Sequence, residues 1–316
     1  MRVRILLVFL AAASLSGAQS ISSHPSWWSY ASPDSTALIG MQWNHLRESP
    51  FRASLETELS PKGYLGFPDL PFLNQRAERI LIASPYLMAI HFGSFPGELV
   101  RGEALAKGLK KSSYKNVELW VTATPETTLS LAWISEQIVI LGHLPTLQEA
   151  IDRSLDTEAR RPFSPLFATA GKYSSHDLWV VSGPLPDPVV GRFVPLKTPV
   201  KSVEGGILLK DGLHLTATLE AASERAAEGS VDQVWRAINP GLYESTKVFT
   251  DVEKILLTMD LSEEQFAAAV KPPAPPPVVA VDAPAPVKPV PQGPRVVKIS
   301  GLESGPLEVA WPAGGK

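Results

Sequence analysis

Two hydrophobic patterns alternate along this chain, one repeating every second residue and the other about every fourth residue. Short apolar runs bounded by Gly, Pro, Ser or Asp are typical of β-strands. Such runs occur at residues 35–43, 79–83, 86–92, 177–182 and 254–260. Three more, separated by short links, occur at 117–123, 129–134 and 137–141. Because short links join neighbouring antiparallel strands, these last three predict an antiparallel meander.

The clearest turn signal is Asp211-Gly212, which lies between two β-rich runs. Asp-Gly favours the type I′ turn of a β-hairpin, because both residues tolerate a positive φ. After the turn, apolar and polar residues alternate strictly over 213–220. This alternation predicts a sheet that buries one face and leaves the other polar.

Apolar residues four positions apart predict amphipathic helices between the strands. One follows the helix-start signal Ser49-Pro50 and carries Phe51, Leu55 and Leu59 on one side. Further helices are predicted at 96–109, at 146–155, at 231–238 and from Ser262 onward. This mixture favours an α+β fold, with antiparallel sheets and helices packed on one face.

A weak internal echo relates two parts of the chain. Residues 87–96 and 178–186 are both apolar strands that end through Gly and Pro. In each part a hairpin and then an amphipathic helix follow later in the sequence. The echo predicts two related halves, 35–155 and 176–270, within one globular body that spans 19–270.

The first 18 residues have the three-part layout of a cleavable secretory signal. Arg2 and Arg4 precede an apolar run over 5–15, and small residues follow at 16–18. The run is shorter than the roughly 20 residues needed to span a bilayer. We therefore expect export to the periplasm or the extracellular space, with no transmembrane span after cleavage.

Charge and cysteine content narrow the possible partners and chemistry. The net charge of the 316 residues is −3, and loss of Arg2 and Arg4 makes it −5. A chain this acidic is a poor candidate for binding nucleic acid, and we interpret its one basic run, 107–115, as a solvated helix end. The absence of Cys excludes disulfides, thiol chemistry and a lipid anchor on cysteine.

Proline divides the end of the chain from the body. Residues 271–294 contain ten Pro in 24 positions. Because Pro lacks an N–H and holds φ near −65°, this stretch predicts an extended, semi-rigid linker. The short segment 295–316 follows. In it, two β-rich runs flank Gly301 to Pro306, which predicts a terminal β-hairpin suited to pairing with the edge of another sheet. Its candidate partner contacts are Val297, Ile299, Val309 and Trp311.

No motif for a catalytic, metal or cofactor site is present, so we predict no cofactor and no metal. The six His include no pair at metal-ligand spacing, and no nucleophile elbow or phosphate-binding loop occurs. His91 and His143 each close an apolar strand beside Gly, where a histidine is either a general base or a hydrogen-bonded rim residue. Gly205-Gly206 is interpreted as a bulge or bend.

Trp27 and Trp28 form an aromatic cluster just after the predicted cleavage site. Such a cluster either stacks on a sugar or a partner peptide, or packs as a terminal plug on the sheet. Both interpretations stay open at this point, and the two residues are kept as candidate contacts.

Three segments carry a resemblance to known sequences. They are LRESPFRASLETEL at 46–59, the meander and helix over 129–155, and VVKISGLESGPLEV near the end of the chain. Together with the signal and the Pro-rich tail, these segments resemble uncharacterised exported bacterial proteins of unknown function. The resemblance implies a location and an architecture, and it implies no activity.

The layout of a body, a stiff spacer and a terminal hairpin favours a non-enzymatic interaction protein of the cell envelope with an unknown protein partner. Two alternatives are a small-molecule or lipid binder, using a groove of the body, and a hydrolase without a recognisable motif.

Overall fold

The computed structural model describes residues 25–52, 70–122, 129–155, 164–185, 200–238, 240–270, 295–299 and 307–311. The predicted signal, the Pro-rich linker and the helical stripe beyond Arg52 lie outside the described residues. Two compact units are present, Met1–Pro272 and Pro273–Lys316. No helix in the described ranges is long and apolar enough to cross a membrane.

The first unit is built around one antiparallel sheet of twelve strands. Its strands, numbered along the chain, are β1 Ala37–Gln42, β2 Ala77–Ser84, β3 Met88–Gly93, β4 Lys110–Tyr114, β5 Val117–Val121, β6 Ser130–Ser135, β7 Ile138–Gly142, β8 Leu178–Ser182, β9 Val200–Leu208, β10 Leu213–Ala221, β11 Thr246–Asp251 and β12 Lys254–Leu261. The order across the sheet is β11-β12-β10-β9-β8-β1-β2-β3-β7-β6-β5-β4. The strands predicted from apolar runs are all found.

Helices cover both faces of the sheet. They are α1 Trp43–Glu48, α2 Pro71–Arg76, α3 Gly97–Ala106, α4 Leu144–Leu155, α5 Pro165–Tyr173, α6 Glu224–Ala237 and α7 Glu263–Val270, with 3₁₀ helices at Ser26–Tyr30 and Pro240–Ser245. Helices α4 and α5 and the first 3₁₀ helix pack on one face, and the other helices pack on the opposite face. The predicted α+β class with antiparallel strands is confirmed, but the helices are not restricted to one face.

The central strands explain why two helical layers are needed. In β1, Leu38 is buried on one face, while Ile39 and Met41 are buried on the other. Successive side chains of a strand point to opposite faces, so a continuous apolar run leaves both faces to be covered. The strands near β11 instead alternate: Leu213, Leu215, Ala217 and Leu219 of β10 are buried on one face, as predicted.

The strand order repeats on the two sides of the β1–β8 pair. From β1 outward the sheet continues through β2, β3, β7 and β6, and from β8 outward it continues through β9, β10, β12 and β11. Each side therefore has a central strand, a hairpin and a second hairpin that pairs with the first. In this arrangement β8 is equivalent to β1, whereas the sequence echo compares β8 with β3. The prediction of two related halves is compatible with this order, but the echo does not join equivalent strands.

Local turn signals agree with the structure. Asp211 and Gly212 both have positive φ, 59° and 134°, between β9 and β10. Ser262 starts α7 with a reciprocal cap, because its Oγ accepts from the Gln265 N–H and its own N–H donates to Gln265 Oε1.

The prediction that the basic run at 107–115 is a solvated helix end is wrong. Helix α3 ends at Ala106, and Lys110–Tyr114 is strand β4, paired with β5 at one edge of the sheet. A strand of exposed polar residues has no apolar alternation, so its pattern does not distinguish it from a solvated loop.

Candidate functional site

Trp27 and Trp28 are core residues. The Trp27 ring stacks on Phe92 with centroids 5.8 Å apart, and the Trp28 ring lies 5.3 Å from Trp179. Trp28 is only 2% exposed. The pair therefore packs on the sheet as a plug, and in this structure it is not accessible to a sugar or a peptide.

His91 lies inside the sheet rather than at a strand end. It sits in β3 between Ile80 of β2 and Val139 of β7, and it is 5% exposed. Burial lowers the pKa of His91 to about 4, against the opposing effect of hydrogen bonds with the backbone of Ala89 and Val139. The ring is enclosed between two neighbouring strands, and its lowered pKa makes it a weak proton acceptor near neutral pH, so the burial favours the second interpretation, a hydrogen-bonded residue, over a general base.

His143 is half-buried and follows the last residue of β7. Its backbone carbonyl accepts the N–H of Leu147 in the first turn of α4. Its Nδ1 is buried and has no hydrogen-bond partner among the described residues. The register places His91 opposite Val139, four positions before His143, so the two histidines do not form a common site.

The second unit contains the predicted terminal hairpin. Strands β13, Arg295–Ile299, and β14, Leu307–Trp311, pair in antiparallel register. The register joins Arg295 with Trp311, Val297 with Val309 and Ile299 with Leu307. Since paired residues and every second residue share a face, all four predicted contacts belong to one face of the ribbon. Val296, Lys298, Glu308 and Ala310 occupy the other face.

A polar site that the sequence did not indicate lies beside the central strands. The Nδ1 of His45, in α1, is 2.7 Å from Oδ1 of Asp177, which directly precedes β8. The other carboxylate oxygen, Oδ2, accepts the backbone N–H of Leu209 at 2.7 Å. One buried carboxylate thus joins the helix after β1 to the residue that follows β9.

The backbone N–H and carbonyl of Asp177 both form hydrogen bonds as well. Its carbonyl accepts the N–H of Gln42 at 2.8 Å, and its N–H donates to the carbonyl of Ile207 at 2.9 Å. The Asp177 side chain is 10% exposed, whereas that of His45 is 59% exposed. The carboxylate is therefore a buried anchor, and the imidazole is the accessible part of the pair.

His176, which directly precedes Asp177 in the chain, packs beside Tyr173 at the end of α5. Their ring centroids are 5.3 Å apart. Burial lowers the pKa of His176, and burial together with the charge of Glu204 raises the pKa of Tyr173. A Cβ on Gly206 would lie 2.4 Å from the His176 ring, so Gly206 leaves room for that ring.

The Gly205-Gly206 pair is therefore not a bulge. Both residues lie within β9 in uninterrupted register with β8, opposite Val180 and Trp179. The close approach of the His176 ring, and not a bend in the strand, accounts for the glycine at 206.

The His45–Asp177 pair has the orientation of a general base, because a carboxylate holds Nδ1 and the other edge of an exposed imidazole is accessible. Among the described residues, no hydroxyl group is hydrogen-bonded to the His45 imidazole. The hydroxyl of Ser174, on the loop before Asp177, donates to the carbonyl of Gly171. Within the described ranges no group of three or more His, Asp and Glu could hold a metal ion. The arrangement is suited to clamping α1, β8 and β9 together.

The sequence gives no local signal for this clamp. His45 and Asp177 are 132 positions apart, and neither belongs to a motif. The only sequence clue is an Asp at the start of an apolar strand, a position where a buried carboxylate needs hydrogen-bond donors from elsewhere in the fold.

Replacing Asp177 tests the clamp. We expect Asp177→Ala to lower the free energy of unfolding by about 2 kcal/mol, because it leaves the Leu209 N–H without its acceptor and removes hydrogen bonds to a charged group. His45→Ala, which removes only the exposed partner, should cost under ~1 kcal/mol. Urea unfolding followed by tryptophan fluorescence measures both. Equal losses in the two variants would contradict a clamp centred on Asp177.

Comparisons with known proteins show a similar fold in a solved structure but indicate no activity. No family model matches the sequence, and no curated protein matches it. The crystal structure of TP0453 in form I is similar, with a TM-score of 0.52 and 10% sequence identity, over 79% of this chain and 98% of that one. Form IV gives a TM-score of 0.48 at 9% identity, over 78% and 98% of the two chains. At such low identity the form I likeness shows a shared fold alone.

Proposed function

We propose that this chain is an exported, non-enzymatic interaction protein of the cell envelope, and that its terminal β-hairpin binds a protein partner. The observation that carries the proposal is the register of β13 with β14. It groups five apolar residues on one face of a two-stranded ribbon, namely Trp311, Val297, Val309, Ile299 and Leu307, with Arg295 at the end of that face opposite Trp311.

A two-stranded ribbon has too little structure to bury such a face. Hairpins of this size are marginally stable in water and become stable when a third strand or another layer covers them. Five-residue strands also leave two unpaired edges, and an unpaired edge can extend the sheet of another protein through main-chain hydrogen bonds. A protein partner that presents a sheet edge and an apolar surface satisfies both needs.

The Pro-rich segment supports the proposal that the terminal hairpin binds its partner at the end of a long linker. At about 3 Å per residue in an extended conformation, residues 271–294 would reach roughly 70 Å. A tether of this kind lets the body and the hairpin occupy different sites, and it raises the effective concentration of one once the other is bound. The predicted signal at 1–18 supports export of the chain, which would bring it to a partner in the cell envelope.

The body supports a role without catalysis. His91 is buried and neutral, His143 stands apart from it, and the carboxylate of Asp177 serves as an anchor between three elements. None of these groups is arranged with a nucleophile within the described ranges.

Two valine substitutions on adjacent residues test the hairpin as the binding element. Val297→Lys puts a charge on the apolar face, and Val296→Lys puts the same charge on the opposite face. Burying a valine contributes about 1.5–3 kcal/mol, so we expect Val297→Lys to weaken partner binding at least ~10-fold. Val296→Lys should stay within about twofold of the wild type. The full chain serves as bait on envelope extracts, with quantitative mass spectrometry and then a binding titration of each recovered protein.

The result that contradicts the proposal is equally specific. If both lysine variants and a chain ending at Val270 recover the same proteins as the full chain, with unchanged circular dichroism, the hairpin is not the binding element. A small molecule or lipid retained by the purified protein in native mass spectrometry, with no protein partner, would favour a ligand-binding body instead.

A further inference from the structure

The two edge strands of the large sheet differ in their exposed side chains, and this difference affects whether each edge can pair with a strand of another molecule. Strand β4 forms one edge and β11 the other. Lys110 and Lys111 are exposed on β4, and lysines on an edge strand oppose pairing with another strand. Strand β11 carries one Lys and one Asp and presents an aromatic side chain to solvent.

The exposed surface of β11 is centred on Phe249. This side chain is 52% exposed, and Thr250 and Asp251 beside it are exposed as well. Val252, in the turn to β12, is 65% exposed. Exposed apolar side chains on an unpaired strand edge mark a site for pairing with another strand.

Two copies of β11 can pair in one register that places residues of opposite charge next to each other. Lys247, Phe249 and Asp251 alternate along the strand and share one face. When two copies of β11 pair antiparallel about Phe249, Lys247 of each copy lies opposite Asp251 of the other. The two Phe249 residues lie opposite each other at the twofold axis. Aromatic pairs and opposite charges are both favourable as directly opposed residues.

Other registers lose this match. An antiparallel pairing centred on Val248 puts Lys247 opposite Phe249 and Asp251 beyond the end of the partner strand. An in-register parallel pairing puts Lys247 opposite Lys247 and Asp251 opposite Asp251, which is unfavourable. Within its own sheet Asp251 already lies opposite Lys254, and Lys247 lies opposite the uncharged Thr258. The Asp251 carboxylate would therefore lie between two lysines.

We propose that β11 is a self-association site, where a second copy of this chain pairs antiparallel about a twofold axis through Phe249 and extends the sheet across the dimer. An interface that uses the same strand from both copies is the usual arrangement of a symmetric dimer. Pairing of six-residue strands falls below ~1,200 Å² of buried surface, so the dimer is reversible and depends on concentration. The inference is independent of the terminal hairpin.

Charge reversal of the full chain tests both the site and its register. Lys247→Asp gives Asp opposite Asp, and Asp251→Lys gives Lys opposite Lys, so each single variant should dimerise at least ~10-fold more weakly than the wild type. The double variant Lys247→Asp/Asp251→Lys restores two opposite-charge pairs and should dimerise again. An equal mixture of the two single variants should form a heterodimer, because every facing pair is then Asp with Lys. Sedimentation equilibrium over a range of concentrations measures association, and thermal melts show that each variant is folded.

Three results would overturn the proposal. One is a wild-type chain that stays monomeric across the range. A second is a dimer that the single variants do not weaken, or that neither the mixture nor the double variant restores. The third is a dimer that Val297→Lys abolishes while the β11 variants leave it intact, which would make the terminal hairpin the contact. Because the β11 variants do not alter the hairpin, failure here leaves the proposed function unaffected, and the converse also holds.

Discussion

Gly40→Ala is expected to destabilise the protein by about 3 kcal/mol or more, although it adds a single methyl group. Gly40 lies in β1 at the centre of the sheet, opposite Leu81 on one side and Trp179 on the other. A Cβ at this position would lie 2.0 Å from Cε2 of Trp179, a distance that no packing arrangement allows. The indole is 2% exposed and packs against Trp28, so it has no space to move into.

Chemical unfolding followed by circular dichroism measures the loss. Gly229→Ala in helix α6 is the matched control, because a Cβ there meets nothing within 4 Å and Ala favours a helix by ~1 kcal/mol over Gly. It should be neutral or stabilising. Combining Gly40→Ala with Trp179→Leu should cost less than the sum of the two single changes, since the shorter side chain leaves room for the methyl group. An additive double variant would show that Trp179 is not what requires glycine at 40.

Stability is expected to fall between pH 6.5 and pH 4 because of His91. Burial lowers the pKa of His91 to about 4 in the folded protein, against a value of 6.5 in a model compound. In this range the unfolded chain binds a proton that the folded chain does not, so acid favours unfolding. The stability is complete above pH 6.5, and the loss through this group ends below about pH 4. At ~1.4 kcal/mol per pH unit the full loss amounts to about 3 kcal/mol.

His91→Leu removes the titrating group and keeps an apolar side chain between Ile80 and Val139. We expect its free energy of unfolding to change little between pH 6.5 and pH 5, where most carboxylates are still ionised, while the wild type loses stability. His214→Gln, at a partly exposed histidine of β10, should keep the acid sensitivity of the wild type. An acid loss of the same size in His91→Leu would show that another group is responsible.

Local chemistry made much of the fold predictable. Strand β10 follows from strict alternation, its turn follows from Asp211-Gly212, and the hairpin β13–β14 follows from two β-rich runs around a Gly-rich link. Each signal is contained in a few adjacent residues. The conformational preferences of a turn and the periodicity of side chains along a strand also depend only on residues that are close in the sequence. The α+β class follows from the sum of such elements.

These local patterns did not predict other features of the fold. Strand β4 has no apolar alternation and becomes a strand only through its pairing with β5. The sequence pattern favours a strand through Gly40 and a bulge or bend at Gly206, and it does not indicate that these glycines face the rings of Trp179 and His176. The strand that contains His91 was predicted, but not that a neighbour would pair on each side of it and enclose the imidazole.

The sequence by itself determined the kind of element at most positions, the α+β class and the apolar alternation of the terminal hairpin. Only the tertiary structure decided that β1 pairs with β8, that Asp177 joins His45 across 132 positions, and that β11 is left at an edge with Phe249 exposed. The reason is physical. The conformation of a turn or a strand depends on neighbouring residues, whereas the order of strands depends on which apolar faces can be buried together, a condition that involves the whole chain at once.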